Sequence, residues 1–317
     1  MSLCSCDVSL QNTGSPSCAP VMGVAANFIL VPLIANDGTF NYIDPTDTLN
    51  DAYFTALINE ADDSKRWYPT GKLKNVTTDR ADPILETFED GSSVFIRDGI
   101  RNFTAMIIKG SFELAKQFNA NRCSTFGIFI VDLDGNILGT TKTGSDYLYP
   151  IACDAATFYA KPVFTTDTTI QKIMLMGQWD VLQKDDDLRM ISASSISAAN
   201  IVNLKGLMNV YTTILYTSQT EMGLSIYAKF GNIITNYKIE GLVAADFVSS
   251  DTGATSKIYN DTDNSDVTLI SAVESTTYAG QYILTYASQA VSDVLQPLIK
   301  KNGLDGVTML GTTGTVI

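Results

Sequence analysis

The chain has 317 residues, 45% of them hydrophobic, with a formal net charge of -13 and a pI near 4.4. That length and apolar content suffice for two domains with buried cores. The acidic surface repels nucleic-acid phosphate and anionic membranes, so neither is expected as a partner of the whole surface. The chain has no histidine, which excludes Ser-His-Asp and Cys-His arrangements within it and removes the commonest metal ligand.

Residues 1–22 read as a flexible N-terminal arm, because Gln11 to Cys18 is turn chemistry. Cys4, Cys6 and Cys18 cluster there, and Cys123 and Cys153 follow much later. Three thiolates make a closed zinc site only with a fourth ligand. An odd cysteine count argues against a complete disulfide framework and fits a reducing cytoplasm. The apolar run Phe28 to Ile34 contains Pro32 and follows no basic residue, so no signal peptide is expected. No apolar run is long enough to span a bilayer.

Residues 23–191 read as one β domain with helices. Asn27 to Val31 is a first strand closed by Pro32, and Asn36-Asp37-Gly38 is a turn. Asp44 is expected to cap a helix with Pro45 at its first position. Leu49, Ala52, Tyr53, Ala56 and Leu57 fall at helical spacing and suggest its core face. Arg66-Trp67-Tyr68-Pro69 reads as a packed loop anchor, and Lys72 to Thr78 as a polar strand. Val94 to Arg101 and Asn102 to Ile108 are extended. Gly110-Ser111 opens a short helix at Phe112, and Phe126 to Asp132 returns as a strand. Tyr147 to Ile151, Phe158 to Phe164 and Ile170 to Trp179 are further strands.

Ser192 to Asn200 is small and polar, and 192–200 is the expected linker. Residues 201–317 change texture. Short alternating strands recur from Ile201 to Leu310, which suggests an immunoglobulin-like β-sandwich. Ser249 to Asp266 reads as a long acidic loop. The fold class expected is therefore mainly β with a few short helices.

Candidate chemistry is sparse. Asp132-Leu133-Asp134-Gly135-Asn136 resembles the start of a calcium loop, but no Glu closes it, and a tight hairpin at Asp134-Gly135 suits the flanking strands better. Asp261, Asp263 and Asp266 form a second acidic loop open to calcium. Lys184-Asp185-Asp186-Asp187 reads as a solvated loop beside Arg189. Gly110-Ser111 lacks the glycines and lysine of a phosphate loop. Lys72, Lys74, Arg80, Arg97 and Arg101 are candidates for a local basic face. Arg97 and Arg101 share a face on an unbroken strand, whereas a turn at Asp98-Gly99 separates them. No catalytic, cofactor-binding or metal-binding residue is assigned.

The block Glu86-Thr87-Phe88-Glu89-Asp90-Gly91-Ser92, the run Val94 to Phe103 and the return Ile130 to Asn136 resemble tailed-bacteriophage virion proteins. With Cys4-Ser5-Cys6 and Asn12 to Cys18, the first half is similar to structural proteins of crAss-like phages of Bacteroidales, a tail-tube or tail-ring subunit by analogy. The resemblance implies a tail-tube-like β-sandwich or barrel domain whose strands join those of neighbours, followed by an appended immunoglobulin-like domain. It implies copies of the chain in a ring, neighbouring tail or collar proteins as partners, DNA passing through the lumen, and a place in the virion tail after assembly in the host cytoplasm. It implies no enzyme, cofactor or membrane. The alternative is a surface-exposed carbohydrate- or receptor-binding module, for which Tyr211, Tyr216, Tyr227 and Tyr237 are the available aromatics. A hydrolase built on paired carboxylates finds no such pair in the sequence.

Overall fold

The structure, a computed structural model, describes residues 21–198, 200–250, 253–306 and 313–317. Cys4, Cys6, Cys18 and the expected last strand Val307 to Leu310 lie outside the described residues. In the first half the elements are β1 (Ala25–Pro32), α1 (Asp51–Ile58), β2 (Tyr68–Pro69), β3 (Lys74–Arg80), β4 (Ile84–Thr87), β5 (Ser93–Arg97) and β6 (Arg101–Ile108). Then come α2 (Phe112–Ala120), β7 (Phe126–Asp132), β8 (Ile137–Thr140), β9 (Ile151–Val163), β10 (Lys172–Trp179) and β11 (Leu188–Ile191).

These strands make two antiparallel layers. One holds β2, β1 and β7, with β8 and the start of β9 sharing the far edge of β7, and β11 outside β8. The other runs β9, β10, β6, β3. Phe28, Leu30, Phe103, Ala105, Ile128, Ile130, Leu175 and Trp179 fill the space between them. The first layer is also covered on its other side, where Ile29, Val31, Phe129 and Val131 meet Phe54, Ile58 and Trp67. That is why β1 and β7 are nearly unbroken apolar runs, while β6 and β10 alternate between core and surface.

Helix α1 departs from expectation in its start and its register. Asn50, not Asp44, is the N-cap, and its side chain accepts from Tyr53 N at 2.9 Å. Asp44 instead accepts from the backbone and hydroxyl of Thr46, closing its own turn. The buried residues of the helix are Phe54 and Ile58, with Ala52 and Ala56 exposed. Of the run expected at Tyr147 to Ile151, Leu148 and Tyr149 make only isolated bridges, to Ile43 and Thr140. Ile151 begins one long strand, β9, that takes in most of the run expected at Phe158. It pairs with β7 at Ala152 and with β10 from Cys153 onward, so it passes from one layer into the other. Asn119 of α2 covers its outer edge, donating to and accepting from Ala160.

Residues 192–204, expected as linker and first sandwich strand, pack on the first half. Ser197 N donates to Leu49 O at 2.9 Å, Ala193 N donates to Asn136 Oδ1 at 2.9 Å, and Ile201 is buried beside Ile43 and Trp67. The change from one core to the next falls between Leu207 and Val210.

The second half holds β12 (Met208–Asn209), β13 (Tyr211–Thr217), β14 (Glu221–Ala228), β15 (Tyr237–Lys238), β16 (Phe247–Val248), β17 (Lys257–Asn260) and β18 (Ser265–Glu274). It closes with β19 (Gln281–Tyr286), β20 (Val294–Gln296), β21 (Leu298–Lys301), β22 (Leu304–Asp305) and β23 (Gly314–Thr315). The larger sheet runs β13-β14-β19-β18-β17-β20-β23 and curls toward a barrel, with Gly314 of β23 lying against Ile214 and Thr217 of β13. A smaller sheet, β12-β22-β21-β16, flanks it. Met222, Leu224, Ile226, Tyr282, Leu284, Tyr286 and Leu295 form the core. The Ser249 to Asp266 stretch contains β17 and the turn into β18, so much of it is hairpin rather than loop. The chain is mainly β with two short α-helices among the described residues.

The halves are joined by a buried polar contact. Arg66 Nη1 lies 2.7 Å from Asp305 Oδ2, with both side chains almost fully buried. The 200–207 segment is tied within the first half by Asn27 Nδ2, which donates to Leu204 O at 3.0 Å, and by Gly206 N, which donates to Pro69 O at 3.1 Å.

Candidate functional site

Between β3 and β6 the chain leaves the body. Residues 81–98 are all exposed, and β4 and β5 pair with each other and with no other strand among the described residues. The tip is a turn in which Gly91 takes φ 81, and Asp90 accepts from the backbone and hydroxyl of Ser92. Those hydrogen bonds, the side-chain one foremost, hold the Asp90 carboxyl below the usual range. Thr87 and Ser93 hydroxyls meet across the strands at 3.1 Å. The result is a hairpin arm whose limbs reach at most about 30 Å at ~3.3 Å per residue.

The base of the arm is fixed. Ala81 N donates to Ile100 O at 3.0 Å, and a Cβ on Gly99 would overlap the Ala81 carbonyl, so only glycine fits the neck. Arg80 and Arg101 both bind the Asp185 carboxylate, at 2.8 and 2.7 Å. Partial burial pushes the Asp185 pKa up, but the two guanidinium hydrogen bonds outweigh it and the carboxyl titrates below its ordinary value. Arg101 also lies 4.8 Å over the Trp179 ring. The turn at Asp98 to Ile100 separates Arg97, on the arm, from Arg101, in the body.

The arm is apolar on both faces. Leu85 opposes Phe95 on one, while Val94 and Ile96 point to the other. Ile84, Leu85, Phe88, Val94, Phe95 and Ile96 are each 41–57% exposed. An isolated two-stranded hairpin is marginal in water, and a contiguous apolar patch of this kind marks an interaction surface. The sequence gives this away only in part. Val94 to Arg101 reads only as an extended run, and nothing local shows that Val94, Phe95 and Ile96 are left exposed.

The other candidates serve the fold. Asp132 is fully buried and accepts from Gly23 N, Asp134 N, Asn136 N and Asn136 Nδ2 at 2.6–3.0 Å. Burial raises its pKa, and these four bonds lower it further than burial raises it. It is the staple of the β7–β8 hairpin, with Gly135 at φ 92. Asp261 and Asp263 flank a turn organised by buried Asn260, whose Nδ2 donates to Asp293 Oδ2 at 3.1 Å and Gln289 Oε1 at 3.0 Å, and Asp266 sits in β18. Among the described residues no three carboxylates or thiols converge as metal ligands. Arg80 and Arg101 are tied to Asp185 rather than joined with Lys72 and Lys74 in an open basic face. Burial drives the Cys153 thiol far above its ordinary pKa, so it is chemically quiet.

Tyr211 and Tyr227 stack at 6.0 Å with Lys229 over Tyr211, while Tyr216 and Tyr237 are more exposed. A richer aromatic group lies in the first half, where Tyr42 and Tyr147 stack at 4.2 Å and Lys142 Nζ sits 3.0 Å over the Phe40 ring and 4.4 Å from that of Tyr149. It borders a cleft of about 360 Å³. About 100 residues separate its two strands of sequence, so no local pattern joins them. The chain matches no protein family, no curated protein and no solved structure in comparisons with known proteins.

Proposed function

We propose that this chain is a structural component of a tailed-bacteriophage particle that assembles as a homo-oligomeric ring or tube in the tail. The observation that carries the reading is the β4–β5 arm, an apolar hairpin anchored at its neck and left exposed among the described residues. Such an arm completes its burial only against a neighbour. The likeness of residues 86–92 and 94–103 to virion proteins falls mostly on this arm, and that of residues 130–136 on the β7–β8 hairpin. The net charge of -13 suits a lumen through which DNA slides by repulsion. Copies of the chain are the first partners, neighbouring tail or collar proteins the next, and the virion tail, built in the host cytoplasm, the location.

Size-exclusion chromatography with light scattering, followed by negative-stain microscopy, tests this. Rings or tubes are the expected result, and a strict monomer at high concentration refutes it. The aromatic cleft beside Phe40 and Lys142 favours one other reading, a surface module that binds a carbohydrate or receptor. A monomer that retains glycans on an array selects that reading instead.

A further inference from the structure

The assembly reading leaves open where the arm of one copy lands, and the other end of the same sheet offers a seat. Strand β6 starts at the neck of the arm with Arg101 and ends about 25 Å away at Ile108. Around that far end, Phe112 at the start of α2 touches the Phe164 ring at 6.1 Å, and the backbone of Gly231 abuts Phe112. Phe112 and Gly231, with Phe230, Ile233 and Ile234, border an open groove of about 590 Å³. Ile233 and Ile234 are 100% and 91% exposed, and Ile170 and Phe164 are also exposed. Isoleucine at full exposure on a strongly acidic chain is unusual solvent chemistry.

Lys109 lines the groove, Lys172 pairs with Ile108 and Lys229 precedes Phe230, while Lys116, one turn after Phe112, is paired with Glu113 at 3.3 Å. The arm carries the opposite sign, with Asp82, Glu86, Glu89, Asp90 and Asp98 against Arg97. We propose that the β4–β5 arm of one copy docks in the apolar groove lined by Lys109, Phe112 and Ile233-Ile234 of the next copy. The occupant is a second copy because the complementary apolar and acidic surface is present on the chain itself. Donor and acceptor lie at opposite ends of one rigid sheet, so the contact is heterologous. It propagates head to tail and closes into a ring or continues as a tube according to its rotation.

Two exposed-site variants test it: Phe95→Asp spoils the arm and Ile234→Asp spoils the groove. Each is expected to keep the wild-type circular dichroism and melting temperature, since both side chains face solvent, and each alone is expected to be monomeric by light scattering. Mixed at equal concentration, they join one sound arm to one sound groove and stop at a heterodimer. A mixture that stays monomeric, or an Ile234→Asp protein that assembles as the wild type does, overturns the docking site while leaving the assembly reading intact. A wild-type protein that never assembles overturns both. As a second measurement, Lys109→Glu with Lys172→Glu slows assembly about tenfold at low salt, and Glu86→Lys with Glu89→Lys in the partner restores it. An unchanged rate in the lysine variant also overturns the proposal.

Discussion

Replacing Asp305 by Ala removes one member of a buried ion pair between the two halves. Asp305 on β22 and Arg66 before β2 are 7% and 5% exposed and meet at 2.7 Å. The guanidinium also donates to the Glu60 and Ala61 carbonyls at 2.6 and 3.4 Å. Removing one member of a buried pair costs about 3–5 kcal/mol, against about 0–1 for an exposed pair. Urea unfolding followed by tryptophan fluorescence measures it, because Trp67 and Trp179 both lie in the first half and Trp67 adjoins Arg66. For a denaturant slope of ~2–3 kcal/mol per M, the midpoint falls by roughly 1–2 M. Far-UV circular dichroism, which also sees the second half, reports whether the halves still unfold together. Arg66→Met combined with Asp305→Leu recovers much of the loss, since matched apolar side chains remove both charges. A loss below about 1 kcal/mol in Asp305→Ala refutes the idea that this pair is dehydrated and joins the halves.

Asp132→Ala removes the acceptor for four donors in the β7–β8 hairpin, and is expected to cost about 3 kcal/mol by thermal melting. Because its folded pKa is depressed below 3.8, the wild-type carboxylate contributes stability that is complete above its unfolded pKa. That stability is lost only as pH falls through the lower folded value, so melting temperature falls less in the variant between pH 4 and pH 2 than in the wild type. Gly99→Ala forces a side chain into the Ala81 carbonyl, and limited proteolysis is expected to cut residues 81–98 faster while the body stays resistant; equal cutting rates count against a rigid neck. Iodoacetamide at pH 8 modifies exposed Cys123 in the native protein and leaves buried Cys153 untouched, and peptide mass mapping that finds Cys153 labelled refutes its burial.

Patterning made the β-rich architecture legible because period-two alternation survives wherever one face of a sheet is wet, as in β6 and β10. It also marked Phe126 to Asp132 as a strand, though not that both of its faces are buried. Capping failed at α1, where Asp44 and Asn50 are both competent oxygen acceptors and only the Thr46 contact decides between them. The small polar stretch 192–200 has linker composition, yet its backbone is bound to Leu49 and Asn136, residues far off in sequence. The arm was visible as apolar strand and turn. Its exposure was not, because a sequence reports that a residue is apolar without reporting whose surface will cover it. The Asp185 clamp and the Phe40–Lys142–Tyr149 group escaped for the same reason, being made by contacts over 80 residues or more.

Strand β9 gives the body a mechanical character. Force applied at the arm enters β6, crosses to β10 and then to β9 through ladders of backbone hydrogen bonds, and β9 carries it by covalent backbone into the layer of β7 and β1. Traction along these antiparallel strands loads many bonds in shear at once instead of opening them one by one. The body is thereby built to resist pulling along these strands.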